Sequence, residues 1–405
     1  MGKLNDVQKT VLALTSAVLF NTSVPFVDVD YSALKKESYD QAVFMLVYSA
    51  VASYLPESEQ ESWLDLSEKI TAKNMTTDFE HSELHDLMTD NNIPYTTIKG
   101  SGAASYYPDP LKRMMGDVDF IIQKDHFSKA GRVLESAGFK RTDSDDLHFH
   151  FAYGRDLSTW EMHESIGGIP NDECGEKIRE YLSDIIDKSV IYNYNGNTFR
   201  MPCVFHHGLI LLIHTAEHLT STGVGLRHLC DWAVFVNKIP DDEFAHLFED
   251  KLKSVGLWNF ACVLTHLSEK YLHIRHCSWL DNYPTPSDEF LEKMIVDIFK
   301  GGNFGTKDKQ RLNQAKLITD VDTHKAGSRG AFRQLISSLN AKSKERLPII
   351  KKAPILMPVG WIYTAGWYMV LLIQGKRPSI NIKEMVKGAE ERRAIYKEFK
   401  LFEVE

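Results

Sequence analysis

Cysteine is scarce in this sequence and does not occur in pairs. The chain has 405 residues but only five cysteines, which are scattered singly and form no CxxC motif. An odd number of isolated cysteines supports neither a disulfide framework nor a cysteine zinc site. We therefore expect the protein to work in a reducing, cytoplasmic setting.

The sequence also lacks a strong excess of charge of either sign. Lysine and arginine total 47 and aspartate and glutamate total 55, which gives a net charge of −8. This balance argues against broad nonspecific binding of nucleic acid. The sequence has no internal repeat and no low-complexity tract. With 43% hydrophobic residues it has the composition of an ordinary folded protein.

Long uncharged runs are rare, and the run at residues 353–374 has the length of a membrane span. Pro354 and Pro358 interrupt its first part, which leaves roughly 15 residues for a regular helix, too few to cross a bilayer. We therefore expect a buried helix in a soluble core and no membrane-spanning segment. Docking of Trp361 and Trp367 on a membrane or on a partner protein is the alternative.

Most of the chain has the periodicity of helices, with strand-like sequence in its middle part. The N-terminal segment is read as an amphipathic helix, because its apolar run is broken by threonine and serine and does not follow the pattern of a signal peptide. Helices are predicted at residues 5–55 (with a loop at 21–31), 58–70, 77–90, 125–137 (capped by Asp125), 171–186, 204–236, 241–274, 288–299, 330–340 and 382–400. Strands are predicted at residues 93–98 and 117–123 and in two hairpins, 147–165 and 190–201.

The densest pattern of residues that can carry chemistry runs from residue 98 to residue 164. Gly100 and Ser101 form a turn, Asp117 and Asp119 open an apolar strand, and Glu161 lies on a later strand. Alternate residues of a strand share a face, so the two aspartates place carboxylates about 6.5–7 Å apart on one side of the sheet. A glycine turn ahead of a short helix lets backbone N–H groups approach a phosphate.

This set of carboxylates suits the chemistry of nucleotidyl transfer. Two Mg²⁺ ions about 3.5–4 Å apart can neutralise a triphosphate and align an acceptor with the α-phosphorus, and they need about three carboxylates. Asp117, Asp119 and Glu161 supply three. An Asp-x-Asp alone is often only the start of a strand, so the prediction depends on its combination with the glycine turn and the third carboxylate.

Glu161 and Glu164 compete for the role of third carboxylate. In a hairpin centred on the Gly-Arg-Asp turn, His148 would face His163 and His150 would face Glu161. Glu161 lies on the same face of its strand as His163, whereas Glu164 lies on the opposite face. We therefore predict Glu161.

The same residues resemble the signature of the nucleotidyltransferase fold, the DNA polymerase β-like superfamily. The closer resemblance is to an uncharacterised bacterial nucleotidyltransferase family, and it covers most of residues 1–240. The motifs that carry it are Lys99-Gly100, Tyr107-Pro108, Arg113–Asp119, Glu161–His163 and His214–Asp231. The resemblance implies a small mixed sheet with two metal ions and an NTP at its edge.

We therefore expect an α+β fold in which a small mixed sheet, the nucleotidyltransferase core, is embedded in a mostly helical protein. The predicted division is an N-terminal helical region at residues 1–80, the catalytic core at residues 81–202 and a C-terminal helical region at residues 203–405. The C-terminal region is expected to cover the active site.

The other candidates around this site have structural alternatives. Lys99 and Arg113 could contact phosphates or simply be solvated. His163 could orient a carboxylate, act as a base or only pack in the sheet. Arg227 could line the nucleotide site or form an ion pair with Asp231 one turn later in its helix. The predicted nucleotide-binding residues are Lys99, Gly100, Ser101, Arg113, His163 and Arg227.

Two pairs of histidines have the spacing of one helical turn. His81 and His85 occur on a predicted helix without the HExxH order, and no third ligand accompanies them. His214 and His218 lie on an apolar helix. We interpret all four as structural or supporting groups and not as metal ligands.

Together these observations predict a Mg²⁺-dependent nucleotidyltransferase that moves NMP from an NTP to a hydroxyl or phosphate acceptor and releases pyrophosphate. Asp117, Asp119 and Glu161 would hold the ions, and Asp119 or Glu161 would assist deprotonation of the acceptor. One alternative is a toxin-type enzyme that acts on RNA ends or on protein, with the basic run at residues 342–352 as its contact. A noncatalytic nucleotide-binding protein is the other.

Overall fold

The computed structural model describes residues 3–23, 28–142, 150–156, 158–308, 356–373 and 395–404, together with residues 311, 340, 343, 347, 390 and 392. The chain forms two compact units. The larger unit comprises residues 1–219, 223–308 and 399–405, and the smaller unit comprises residues 220–222 and 309–398. The three-region division at residues 80/81 and 202/203 remains a prediction.

Helices make up most of the larger unit. Several begin at a polar cap: the side chains of Asn5, Asp30, Asp172 and Ser287 each accept a hydrogen bond from a backbone N–H in the first turn. The helices are α1 (Asp6–Phe20), α2 (Tyr31–Asp40), α3 (Phe44–Val51), α4 (Glu57–Asp90), α5 (Ser101–Ala104), α6 (Phe127–Ser136), α7 (Glu173–Tyr181), α8 (Val204–Thr220), α9 (Leu226–Lys238), α10 (Asp241–Ser254), α11 (Trp258–Leu272) and α12 (Asp288–Gly301).

Five strands of the larger unit form a mixed sheet. They are β1 (Tyr95–Thr97), β2 (Val118–Ile122), β3 (Lys140–Arg141), β4 (His150–Arg155) and β5 (Ser158–His163), in the order β1-β2-β5-β4-β3. β2 pairs parallel with β5 and antiparallel with β1, and β4 pairs antiparallel with β5 and β3. A separate hairpin contains β6 (Val190–Tyr194) and β7 (Asn197–Met201). The predicted α+β class is confirmed.

One face of the mixed sheet belongs to a hydrophobic core. Val118 and Phe120 of β2 are fully buried and pack with Trp160 and Met162 of the neighbouring β5. Helices α4 and α6 supply the other side of this core, and each fully buried large side chain contributes about 1.5–3 kcal/mol. Because side chains alternate along a strand, Asp119 is presented on the opposite face.

Helix α4 is continuous over 34 residues, whereas the sequence suggested two helices at 58–70 and 77–90. The predicted interruption is wrong, because the polar residues in the middle of the segment do not start a second helix. The side-chain amide of Asn74 instead donates hydrogen bonds to the carbonyls of Leu111 and Arg113, which lie outside the helix.

The start of α6 also differs from the prediction. Asp125 does not cap this helix, because it lies inside a 3-10 turn, Lys124–His126, that precedes α6. The helix ends at Ser136, one residue before the predicted end, and Gly138 follows with φ of 89°, a conformation that favours glycine.

The hairpin of β4 and β5 forms as predicted, but its register differs by two residues. Its turn spans only two residues, so His150 pairs with His163 and Ala152 pairs with Glu161. The predicted pairing of His150 with Glu161 is therefore wrong. A shift of two residues leaves every side chain on its original face, so Glu161 and His163 still share a side of the sheet.

The described part of the smaller unit contains helix α13 (Met357–Ile373). Trp361 donates from Nε1 to Oδ1 of Asn340 at 2.7 Å, and the hydroxyls of Ser343 and Thr364 lie 3.1 Å apart. The prediction that this helix is buried is wrong for several of its described side chains, since Val359 is 59% and Ile362 is 75% exposed.

Helix α13 lies within the uncharged run at residues 353–374, which has the length of a membrane span. Within the described ranges, none of the helices combines the length and the apolar character that a bilayer crossing requires. The predicted helices at 330–340 and 382–400 and the basic run at 342–352 lie mainly outside the described residues.

Candidate active site

The parallel pairing of β2 with β5 brings the predicted site residues together. Asp119 lies directly opposite Glu161, and Ile121 lies opposite His163. Asp119, Glu161 and His163 therefore share the face of the sheet that is turned away from the apolar core. Ligand atoms of these three side chains all lie within 4.8 Å of one another. The structure thus adds His163 to the carboxylate cluster.

Asp119 is the buried centre of this cluster. Its Oδ1 lies 3.0 Å from Nζ of Lys99 and 2.9 Å from Nε2 of His163. The same Nε2 lies 3.5 Å from Oε2 of Glu161, which is beyond a good hydrogen bond. His163 therefore orients Asp119 more directly than it orients Glu161.

These contacts set the protonation states of the cluster. Burial raises the pKa of Asp119, but Lys99 and the hydrogen bond from His163 outweigh burial and hold this pKa well below its usual range. Burial lowers the pKa of His163, but the hydrogen bond to Asp119 and the nearby carboxylate of Glu161 raise it above its ordinary value. Burial likewise opposes the charge of Lys99, and Asp119 raises its pKa overall. Asp119 and Lys99 are therefore both ionised at neutral pH.

Asp117 completes the group of carboxylates at the start of β2. It is exposed, and its pKa is raised by partial burial and by the negative charges of Glu161 and Asp119. Such mutual repulsion marks a place that attracts a cation. Glu164, which the sequence places on the opposite face, forms an ion pair with Lys124 at 2.9 Å.

The predicted glycine turn connects β1 to α5. Gly100 has φ of 57° and ψ of −125°, a conformation that glycine adopts far more readily than other residues. A Cβ at this position would lie 2.9 Å from Cε1 of His81, so the imidazole ring packs directly against the turn. Ser101 is buried, and its hydroxyl lies 3.4 Å from Nδ1 of His81. The hydroxyl therefore faces the protein interior.

Asn74 of α4 holds the segment that leads into β2. Its Nδ2 donates to the carbonyl of Leu111 at 2.7 Å and to that of Arg113 at 3.0 Å. Its Oδ1 accepts from the backbone N–H of Met115 at 3.0 Å. One amide thus makes three hydrogen bonds just before Asp117, and α4 positions the site without supplying a ligand.

Arg113 is buried in an ion pair with Asp231 of α9. Its Nε and Nη2 each donate to this carboxylate at 2.8 Å, and the hydroxyl of Tyr107 donates to it at 2.7 Å. The predicted ion pair between Arg227 and Asp231 is wrong, because a buried guanidinium at Arg113 requires the carboxylate. Arg227 instead donates from Nη1 to the carbonyl of Met114 at 2.9 Å. Nucleotide binding by the two arginines remains a prediction.

Helices α8 and α9 contribute polar groups close to Lys99. Burial, with the nearby positive charge of Lys99, lowers the pKa of His214 and His218, the latter to about 4. Burial raises the pKa of Glu217 on the same helix. Ligand atoms of His214, His218 and His228 lie within 4.8 Å of one another. The pair that we interpreted as supporting groups is therefore part of a cluster of three histidines.

The two clusters differ in the ions that they suit. Asp117, Asp119 and Glu161 offer carboxylate oxygens, which are the ligands that Mg²⁺ prefers. The repulsion that raises the pKa of Asp117 would be relieved by a bound cation. These residues fit the divalent ions that the fold implies. The histidine cluster offers only imidazole nitrogens, which Mg²⁺ does not favour.

Three supporting residues, Asn74, Glu217 and His228, were not predicted from the sequence. Asn74 belongs to no motif and acts through contacts with a distant segment. Glu217 had a usable signal, since it is a charged residue between two histidines on an otherwise apolar helix. His228 directly follows Arg227, but nothing local indicates that it meets the histidines of α8.

A small mixed sheet with an Asp-x-Asp at the start of one strand, a carboxylate on the adjacent parallel strand and a preceding glycine turn is the arrangement expected of a nucleotidyltransferase. Residues 29–273, more than half of the chain, match the model of the uncharacterised nucleotidyltransferase family, and the chain belongs to that family. The resemblance inferred from the sequence is thereby confirmed, and the protein is a transferase of nucleotidyl groups. Neither a curated protein nor a solved structure matches the chain.

Proposed function

We propose that the protein transfers NMP from an NTP to a hydroxyl or phosphate acceptor on a small molecule, an RNA or a protein, with release of pyrophosphate. Two Mg²⁺ ions would be held by Asp117, Asp119 and Glu161. The proposal is supported above all by the direct pairing of Asp119 with Glu161 on parallel strands. When bound, the ions would neutralise phosphate charge and activate the acceptor oxygen.

Lys99 and the glycine turn are assigned to the triphosphate. Lys99 is partly exposed, and among the described residues its Nζ pairs with one oxygen of Asp119, so this ammonium group can also reach a phosphate oxygen. Gly100 presents backbone without a side chain in the way. Ser101 would contribute through its backbone N–H, because its hydroxyl faces His81.

Deprotonation of the acceptor is assigned to Glu161. The lowered pKa of Asp119 makes this carboxylate a poor proton acceptor at neutral pH. The side chain of Glu161 is 27% exposed, against 10% for Asp119, and can therefore meet an acceptor that arrives from solvent. His163 is assigned the role of holding Asp119 in place through their hydrogen bond.

The experiment is a pyrophosphate-release assay with an NTP and Mg²⁺. The double variant Asp117→Asn plus Asp119→Asn should lose about 100-fold or more of the activity. It removes two of the three carboxylates that are proposed to hold the ions. Glu164→Gln is the matched control and should retain activity, since Glu164 pairs with Lys124 outside the cluster. Unchanged turnover in the double variant would refute the mechanism. NTP binding by the wild type without pyrophosphate release would indicate a noncatalytic nucleotide-binding protein.

A further inference from the structure

Two buried N–H groups at the start of α9 lack an acceptor among the residues that the structure describes. They are Nε of Arg227 and Nε2 of His228. His228 is only 3% exposed. Leaving a buried donor unsatisfied costs free energy, so such a group in a native protein calls for a ligand, a water or another explanation.

The backbone determines which nitrogen of His228 carries the hydrogen. The N–H of Gly225 donates to Nδ1 of this ring at 3.3 Å. Nδ1 is therefore the acceptor, and the neutral imidazole carries its hydrogen on Nε2. Burial lowers the pKa of His228 and favours this neutral form. Nε2 is consequently a buried donor that has no acceptor among the described residues.

The histidine cluster would otherwise suggest a metal ion. Ligand atoms of His214, His218 and His228 lie within 4.8 Å of one another, which is compatible with three imidazole ligands. A metal at Nε2 of His228, however, needs the lone pair of a nitrogen that carries hydrogen in this tautomer. Lys99 and Arg227 also place two positive charges near the cluster. Both features favour an anion over a cation.

Arg227 and His228 border the same aromatic ring. Cζ of Arg227 lies 5.1 Å from the ring centroid of Phe304, and the ring of His228 lies 5.4 Å from it. Phe304 is 40% exposed, so this ring separates the two residues from solvent only in part. Gly225 makes the arrangement possible, because a Cβ there would lie 2.6 Å from Cα of Asn303.

A hydrogen bond of Arg227 connects the start of α9 to the segment that precedes the carboxylate cluster. Its Nη1 donates to the carbonyl of Met114, three residues before Asp117. The start of a helix also carries a partial positive charge that favours an anion. Arg227 therefore contacts the segment that leads into Asp117 and Asp119.

We propose that Arg227 and His228 form an anion subsite that binds a phosphate group of the substrate. The identity of the ligand rests on the proposed function, whereas the existence of the subsite does not. The phosphate belongs either to the NTP or to a phosphorylated acceptor. An anionic oxygen would accept from Nε of Arg227 and from Nε2 of His228, and it would satisfy both buried donors.

The test measures binding of inorganic phosphate to the full chain by calorimetry in the absence of Mg²⁺. Arg227→Gln and His228→Phe are each expected to weaken binding about tenfold, which corresponds to the loss of one charge-assisted hydrogen bond. His228→Gln keeps an N–H donor and should restore much of the affinity. His276→Gln is the control, because His276 is an exposed histidine that pairs with Glu269 and Asp281. Circular dichroism of each variant checks that the protein is folded.

A second arm distinguishes the two sources of phosphate. The titration is repeated with protein that is saturated with a nonhydrolysable NTP. Competition between the two ligands would assign the subsite to the phosphates of the nucleotide, and undiminished phosphate binding would assign it to the acceptor. Either result supports the subsite when the binding depends on Arg227 and His228.

Three results would overturn the proposal. They are no phosphate binding by the wild type, equal affinity in folded Arg227→Gln and His228→Phe, and a visible Co²⁺ spectrum that disappears in His228→Phe and so reveals a metal site. Because binding is measured without turnover, a failure to release pyrophosphate would refute the proposed function and leave the subsite standing.

Discussion

The buried ion pair between Arg113 and Asp231 allows a quantitative test of how α9 is joined to the segment that leads into β2. Asp231 accepts two hydrogen bonds from Arg113 at 2.8 Å and one from Tyr107 at 2.7 Å. The side chains of the pair are only 7% and 6% exposed. Asp231→Asn keeps the shape of the side chain but leaves the guanidinium without a counter-charge. We expect a loss of about 3–5 kcal/mol in the free energy of unfolding.

The pH dependence of this loss has a definite sign. Burial raises the pKa of Asp231, but Arg113 more than offsets burial and holds the pKa below its usual range. A carboxylate with a lowered pKa in the folded state contributes its stability above its unfolded pKa of about 4 and loses it as pH falls through the folded value. The difference between wild type and Asp231→Asn should therefore be full above about pH 5 and should shrink in more acidic solution.

Urea unfolding, followed by tryptophan fluorescence, measures the difference, because Trp232 is buried next to Asp231. Tyr107→Phe removes one hydrogen bond and should cost only about 1 kcal/mol. Glu289→Gln breaks an exposed ion pair with Lys293 and should leave the midpoint unchanged.

A loss below about 1 kcal/mol in Asp231→Asn would refute the reasoning, because a buried unpaired guanidinium is too costly for so small an effect. A second comparison distinguishes the cost of an unpaired charge from the loss of the ion pair itself. The double variant Arg113→Met plus Asp231→Leu should recover most of the stability, since apolar groups of similar volume can replace a buried pair.

Three smaller perturbations test other parts of the site. Glu161→Gln should reduce pyrophosphate release about 100-fold while Glu164→Gln has little effect, and equal activities in the assay would contradict the choice based on the faces of β5. Gly100→Ala should destabilise the protein by about 1–3 kcal/mol, because the backbone there has φ of 57° and a Cβ would meet His81 at 2.9 Å; an unchanged urea midpoint would argue against that packing. In chelator-treated protein, an NMR titration should give His163 a pKa above 6.5. Its contribution to stability should be full below about pH 6.5 and should disappear as pH rises through the folded pKa, so a measured pKa below 6.5 would contradict the pairing.

Local patterns predicted a large part of the fold. The alternation of apolar residues placed the strand at 117–123 and the hairpins, because the period of a strand is a property of adjacent residues. The same alternation placed Asp119 and Glu161 away from the core, and that result survived a hairpin register that differed by two residues. The predicted break in α4 was wrong because the polar residue Asn74 forms hydrogen bonds with residues that are distant in the sequence.

The sequence by itself determined the chemical inventory of this protein: three carboxylates, a glycine turn and the faces on which they lie. Those features depend on spacing along the chain, and spacing can be read directly. Only the tertiary structure decided the partners. Arg113 and Asp231 are 118 positions apart, and His228 meets histidines of another helix. Such pairs depend on how the helices pack against the sheet. No local pattern of residues predicts which two buried polar side chains will contact each other.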